Sequence, residues 1–522
     1  MSKLYHLFAD NVLKNPGRVA IAMNNGDKIS YKELQELVDT IASNLLVNLK
    51  PGQSRIAINL KNSIELVAIF LAISKVDMVA IPINTLLRSN QVSHALLSTD
   101  ADIIITSDQS YSYCMDLASS LAAKRLMKVI KLSEIIDSNE CSSKINSSFT
   151  QHSCYTKDKE GGFIVTLSSG STGQPKPIVF SQETKIRRSL QAKMLYGIIS
   201  NDVILCASPL YHSLGQRLTF LPLLNGCTLV LLDSFSSRKW INVVKQFQVT
   251  FTIPVTSHLQ VLRQPLLENI EDLTSLRCIV SSSATIDYEL KSKLLNQLRC
   301  EFHEMYGASE IATATNLYPS DPDSKSKSVG KPCTGVDILI LDDARNVQPT
   351  GEIGEIACKS PMRFTHYYGK PDATQASIHD DYFLTGDLGY LDSDGYLFFV
   401  ARKKDVIITG GINVFPRDIE QVLGLHPHIK DCSVIGVNDA YLGEAILAIC
   451  VATDYYDGLE KDIRILINDK LAGYQQPLGY FFVDSLPLTP SGKINKQEMR
   501  EIYNALNLDL SAPVRAILST NN

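Results

Sequence analysis

Val165-Thr166-Leu167-Ser168-Ser169-Gly170-Ser171-Thr172-Gly173-Gln174-Pro175-Lys176 takes an apolar run and ends it abruptly in hydroxyls, glycines and one lysine. Gly170 and Gly173 let the chain turn its N–H groups inward at φ values other residues resist, while the hydroxyls and Lys176 add donors and positive charge. Such a stretch is built to hold phosphate. The common phosphate loop, G-x-x-x-x-G-K followed by Ser or Thr, is not what stands here, because Pro175 occupies the place of its second glycine. A Ser/Gly turn between strands would look similar in isolation, so the surroundings decide.

Upstream of the loop, 162–167 reads as a strand, and short apolar runs over 55–60, 78–82, 102–106, 203–207, 228–232, 249–254 and 278–281 predict others. Between two of them, 63–75 has helical apolar spacing behind a Ser63 cap with Glu65 in the first turn, so 55–82 reads as βαβ. Alternation of this kind predicts an α/β fold of stacked layers with mainly parallel sheets. Over 133–160 the composition turns to Ser, Asn, Lys and Asp, a surface crossover between subdomains. From Val336 onward, short strands with turns at Gly351-Glu352-Ile353-Gly354-Glu355 and Asp392-Ser393-Asp394-Gly395-Tyr396 predict a β-rich subdomain. After Arg402 the chain restarts with a strand over 406–409, a helix near 416–425, a strand near 432–437 and a helix near 459–471, enough for a small α+β domain.

A chain of 522 residues exceeds one core, and a net charge of -5 offers no basic excess for nucleic acid. The segment 1–11 lacks the features of a signal peptide, and no apolar stretch reaches the ~18 residues of a membrane span, so a cytoplasmic location is expected. The 11 cysteines contain no C-x-x-C pair and read as reduced, mostly buried small side chains.

Further clusters follow the loop in fixed order: Tyr211-His212-Ser213-Leu214-Gly215, Tyr306-Gly307-Ala308-Ser309-Glu310, Thr385-Gly386-Asp387, Arg402-Lys403-Lys404-Asp405 and Pro490-Ser491-Gly492-Lys493. Together, over 168–493, they resemble the adenylate-forming superfamily of acyl-CoA synthetases, luciferases and peptide-synthetase adenylation domains. The resemblance implies a large N-terminal domain of stacked α/β sheets with a β-rich subdomain, residues 1–403, and a small mobile α+β domain, 404–522, with a hinge near Lys404. It also implies two half-reactions. A carboxylate attacks the α-phosphate of ATP, expelling pyrophosphate and leaving an acyl-adenylate; a thiol then displaces AMP.

In that resemblance Ser168, Ser169, Gly170, Ser171, Thr172, Gly173 and Lys176 grip the phosphates, setting amide, hydroxyl and ammonium donors against the triphosphate charge. Glu310 holds Mg²⁺, a hard carboxylate for a hard cation. Ser309 donates to the α-phosphate, Tyr306 and Gly307 lie beside adenine, and Ser282, Ser283 and Ala284 run beside adenine and the acyl pocket. Asp387 accepts from both ribose hydroxyls, Arg402 contacts ribose, and Lys493 bridges the carboxylate and the α-phosphate. Lys176, His212 and Lys493 are the candidate catalytic groups. Read singly, Glu310 before Ile311 and Ala312 would be an N-terminal helix residue favoured by the dipole, Asp387 a turn residue and Lys403 a solvated surface lysine.

His212 stands where amino-acid-activating relatives carry an aspartate for the substrate amine, which points to an acid lacking an α-amino group; a packed structural histidine is the alternative. Gly410-Gly411-Ile412-Asn413-Val414-Phe415-Pro416 resembles the G-x-N-V-x-P segment of CoA-using members, in which Gly410 and Gly411 line the pantetheine tunnel. CoA is the acceptor this implies. A carrier-protein phosphopantetheine thiol is the second reading, and an adenylate-binding homologue without turnover the third.

The chain departs from the family pattern in four places. Pro177 replaces a glycine after Lys176, Ser281-Ser282-Ser283-Ala284 replaces a glycine-rich run, Ala401 replaces a glycine before Arg402, and Tyr382 stands where tryptophan is frequent. The charged set Lys176, Glu310, Asp387, Arg402 and Lys493 is complete, which argues against a dead homologue.

Overall fold

The computed structural model describes residues 2–50, 52–137, 161–167, 175–282, 291–292, 297–489 and 494–512. The helix predicted over 63–75 is present and lies deep in the core. The Ser63 hydroxyl accepts from Leu66 N, the helix Ile64–Lys75 follows, and every side chain from Leu66 to Ser74 is buried. A helix apolar all round must be covered on every side. Here the cover comes from two sheets, since Ile56, Ile58 and Ile164 of one and Ile21, Ile204 and Leu229 of the other share a single core with it.

The first sheet has seven strands, in the order His366–Tyr367, Pro177–Phe180, Ile164–Leu167, Val79–Pro82, Arg55–Asn59, Ile103–Thr106 and Lys128–Lys131. The second has nine: Lys331–Pro332, Ala312–Leu317, Glu301–Ala308, Cys278–Ser281, Phe251–Thr252, Val203–Cys206, Thr228–Leu231, Val19–Met23 and Lys28–Ser30. Pairings are parallel through the middle of both sheets and at the Lys128–Lys131 edge of the first, and antiparallel at the other three edges. The predicted strands and the βαβ unit are present, with ends moved by one or two residues.

The chain divides into two compact units, Met1–Asp337 with Cys358–Phe383, and Ile338–Ala357 with Leu384–Asn522. The strands Gly354–Lys359 and Tyr382–Leu391 run through the division. The boundary expected between Lys403 and Lys404 lies inside the second unit, in a short turn between the strands Leu397–Arg402 and Ile407–Thr409. Beyond that turn, a five-stranded sheet of Ile412–Val414, Ile407–Thr409, Gly443–Ala452, Ile429–Asp439 and Gly479–Phe482 packs against the helices Pro416–Leu423 and Leu459–Lys470. These are the predicted elements of the small α+β domain.

Among the described residues no helix is long and apolar enough to cross a membrane. The described cysteines are free thiols, most of them buried.

Candidate active site

The strands Ile164–Leu167 and Pro177–Phe180 pair antiparallel with Leu167 opposite Pro177, so the intervening loop leaves and re-enters the sheet at adjacent points. Ser168, Ser169, Gly170, Ser171, Thr172 and Gly173 lie outside the described residues. Lys176 is described, one residue before the second strand. Pro177 takes the first strand position, where a missing N–H is best tolerated, and its carbonyl accepts from Tyr368 N at 2.9 Å. A proline therefore fits where a glycine is usual.

Lys176 Nζ stands 5.1 Å from the ring centroid of Tyr367, and the Tyr367 hydroxyl donates to Glu310 Oε1 at 2.9 Å. Burial and the Glu310 carboxylate raise the Tyr367 hydroxyl far above its ordinary range, which keeps it protonated as a donor. One buried tyrosine thus holds the loop lysine on its face and the predicted metal-binding carboxylate on its edge. Sequence reasoning missed Tyr367, which no local pattern marks.

Glu310 does not start a helix. The strands Glu301–Ala308 and Ala312–Leu317 form a hairpin, and Ser309, Glu310 and Ile311 make its turn. Closing so tight a turn requires Ala312 at φ 63° and brings its carbonyl against Gly307, where an added Cβ would stand 1.8 Å from that oxygen. Gly307→Ala should therefore cost about 3 kcal/mol through forced backbone movement, read as a lower urea midpoint at unchanged slope.

Arg188, buried on the helix Gln182–Leu195, braces the turn from behind. Its Nη2 donates to the carbonyls of Ser309 at 2.8 Å, Met362 at 2.9 Å and Glu310 at 3.2 Å, and its Nη1 donates to Ser213 Oγ at 3.1 Å. Burial lowers its guanidinium to about 9. The Tyr306 side chain is buried within the hairpin, and Ser282 lies buried at a bridge to Val255, its carbonyl accepting from Thr256 Oγ1 at 3.0 Å. Ser283 and Ala284 lie outside the described residues.

His212 caps the helix Ser213–Asn225 through its backbone, and its ring centroid is 4.5 Å from that of Tyr211. The loop before it is pinned by Asn62, which donates to the carbonyls of Ser208 at 3.2 Å and Leu232 at 3.0 Å and accepts from Leu210 N at 2.9 Å. Gly215 permits the helix to close on that loop, since a Cβ would meet Pro209 O at 2.2 Å. One residue on, Gln216 Oε1 accepts from the buried Lys185 at 2.6 Å, and the Gln216 carboxamide lies 3.1 Å from Thr166 Oγ1 on the strand that precedes Ser168. Burial pushes the Lys185 ammonium well below its usual value.

In the second unit Asp387 lies within a strand rather than in an isolated turn, opposite Arg402 on the neighbouring strand. The Asp387 carboxylate is buried, and Arg402 Nε reaches its Oδ1 at 3.2 Å. Thr385 Oγ1 donates to Ile356 O at 2.7 Å, and Gly386 N donates to Glu355 Oε1 at 3.2 Å, which hold this stretch in place. Lys403, read as a solvated lysine, pairs with Asp343 at 2.9 Å and Glu355 at 3.3 Å. Ala401 is accommodated as a buried strand residue opposite Leu388, and in the first unit the Tyr382 hydroxyl donates to Asp337. Gly410 and Gly411 form the two-residue turn of a hairpin, with φ 56° and 80°, between Thr409 and its partner Ile412. Lys493 lies outside the described residues.

Family models match in the same order. The AMP-binding enzyme model covers residues 8–368, and the AMP-binding enzyme C-terminal domain covers 418–493. The chain is 29% identical over 92% of its length to the fatty acid–acyl-carrier-protein ligase ScoC of Streptomyces coeruleorubidus, covering 92% of that protein. It is equally 29% identical to a feruloyl-CoA synthase of an Amycolatopsis species, over 92% of this chain and 95% of the relative. Among solved structures, ATP-bound MatB from Rhodopseudomonas palustris superposes with a TM-score of 0.85 at 26% identity, covering 97% of this chain and 100% of the other. With both models matched and the first spanning well over half of its length, this chain belongs to the AMP-binding enzyme family.

Proposed function

We propose that this protein is an ATP-dependent acid–thiol ligase that converts a carboxylic acid without an α-amino group to an acyl-adenylate and passes the acyl group to the thiol of CoA. The observation that carries this reading is the convergence of Lys176 and Glu310 on Tyr367 beside the exit of the Ser168–Gly173 loop. A carboxylate is a poor acylating agent, and activating it on ATP demands that triphosphate charge be neutralised where pyrophosphate departs. Lys176 and the loop donors supply that neutralisation. Glu310 would hold Mg²⁺, whose charge further offsets the phosphates. Asp387 accepts from ribose beside Arg402, and Lys493 stabilises charge at the α-phosphate. His212 and its neighbours offer no anion for a substrate ammonium.

The domain assignment goes with this mechanism: 1–403 binds the nucleotide and 404–522 moves about Lys404 between half-reactions. Lys404→Pro should keep acid-dependent pyrophosphate release and lower thioester formation by about tenfold or more, since a fixed φ resists the backbone change a hinge absorbs. Unchanged overall turnover would count against the hinge.

Relatives named for CoA and for a carrier protein support both acceptors, and the glycine hairpin at Gly410 and Gly411 favours CoA. The test is a panel of carboxylic acids scored by ATP-dependent pyrophosphate release, followed by addition of CoA or a phosphopantetheinylated carrier protein. Pyrophosphate release with any acid and thioester with CoA alone support the proposal. Thioester on the carrier alone transfers the assignment to a loading enzyme, and ATP binding without acid-dependent pyrophosphate exchange refutes a ligase.

A further inference from the structure

Arg217 lies on the helix Ser213–Asn225, five positions beyond His212, and its side chain is almost wholly buried, at 6% exposure. Its Nη1 donates to Thr313 Oγ1 at 2.5 Å and lies 3.6 Å from Met305 Sδ. Nε and Nη2 have no hydrogen-bond partner, and no carboxylate pairs with the guanidinium among the described residues. The titratable groups beside it cannot supply an anion: burial pushes the Cys333 thiol up to about 12 and raises the Tyr196 hydroxyl far beyond that of a free phenol. Arg188 adds positive charge nearby.

Leaving a buried guanidinium unpaired is expensive, and the pair of donors left open is specific. Nε–H and the outer Nη2–H point the same way and form the side-on fork that receives both oxygens of one carboxylate. The protein contains that arrangement already closed. In Arg277, Nε reaches Asp202 Oδ1 at 2.8 Å and Nη2 reaches Oδ2 at 2.6 Å. Arg217 presents the same pair of donors without a protein acceptor among the described residues.

Its position ties it to the proposed reaction. Met305 and Thr313 belong to the two strands of the hairpin whose turn holds Ser309 and Glu310, and His212 caps the same helix one and a half turns earlier. About 7 Å of helix axis separates the two. An acid whose reacting carboxylate lies at the His212 end would extend the rest of its skeleton along this helix toward Arg217.

We propose that the acid is dicarboxylic and that Arg217 receives its second carboxylate in a bidentate pair. This rests on the ligase reading above and names its substrate class. A matched monocarboxylic acid leaves the guanidinium uncompensated and is rejected for that reason, as sites built around a buried polar group reject analogues that lack its partner.

The experiment compares chain-matched acids, succinate with butyrate, adipate with hexanoate and terephthalate with benzoate, by ATP-dependent pyrophosphate release. The melting temperature of the protein with each acid and a non-hydrolysable ATP analogue is measured alongside. The wild type should favour at least one dicarboxylate over its partner by about a hundredfold or more in kcat/KM. Arg217→Met should bring that ratio close to one or invert it, and Arg217→Lys, which keeps the charge without the fork, should fall between. Should Arg217→Met fail to fold, the wild-type preference, the matching melting shifts and the Lys variant decide. Equal use of both acids of every pair, or a ratio unmoved by both substitutions, overturns the role of Arg217 while leaving the ligase intact. Absence of both pyrophosphate release and melting shift across all six acids overturns the inference, and extending that silence to the broader acid panel overturns the ligase reading too.

Discussion

Lys493→Ala should slow acyl-adenylate formation by about a thousandfold while leaving thioester formation from supplied acyl-adenylate nearly untouched. Adenylation brings an anionic carboxylate against an anionic phosphate, and one ammonium set between them stabilises both as charge shifts toward pyrophosphate. Thioester formation breaks a mixed anhydride and needs no such bridge. The structure fixes the described residues on either side of this lysine. Leu488 and Ile494 form an antiparallel bridge, Asn495 N donates to Pro487 O at 2.8 Å, and Asn495 caps the helix Lys496–Ala505. Lys496 then pairs with Glu420 at 2.6 Å. Pyrophosphate release and AMP release, measured separately, check the division of labour, and equal loss in both half-reactions would overturn it.

Glu310→Gln should lower kcat/KM for Mg-ATP by about a hundredfold, with partial recovery as Mg²⁺ is raised. The substitution removes charge and little else. Glutamine retains an oxygen for the Tyr367 hydroxyl, and Arg188 grips the backbone carbonyl of residue 310, not its side chain. The hairpin turn should keep its shape and the melting temperature should stay close to that of the wild type. Titrating Mg²⁺ at fixed ATP is the discriminating measurement, because a residue that only shapes the turn would leave the metal dependence as it was.

Periodicity made the layered fold legible. The Ser63 cap and apolar spacing gave the central helix, and each short apolar run gave a buried strand, because burial on both faces writes itself into contiguous sequence. The family was legible by resemblance, through the order of the clusters along the chain. Local context misled where long-range packing decides. Glu310 ahead of two apolar residues has the look of a helix start, yet Ile311 is a buried residue of the hairpin turn and Ala312 opens a buried strand. Asp387 in Thr-Gly-Asp has the composition of a turn and lies in a ten-residue strand. Tyr367, Arg188, Asn62 and Arg217 carried no signal, since a single tyrosine, arginine or asparagine acquires its meaning from partners brought in by other elements. Arg217 was the least visible of them: in sequence it is one cation in an apolar helix, and its open donors exist only once the hairpin has covered it.

The carboxamide of Asn62 bears on how the protein becomes competent during synthesis. Its partners lie 146, 148 and 170 residues further along the chain. Contacts of such separation close late, because the entropy of the intervening chain must be given up first. When Asn62 leaves the ribosome its partners are still untranslated, and the loop before His212 cannot settle until strands from both sheets have met. The loop before His212 is thus ordered only once the chain has been made as far as Leu232 and the two sheets have met.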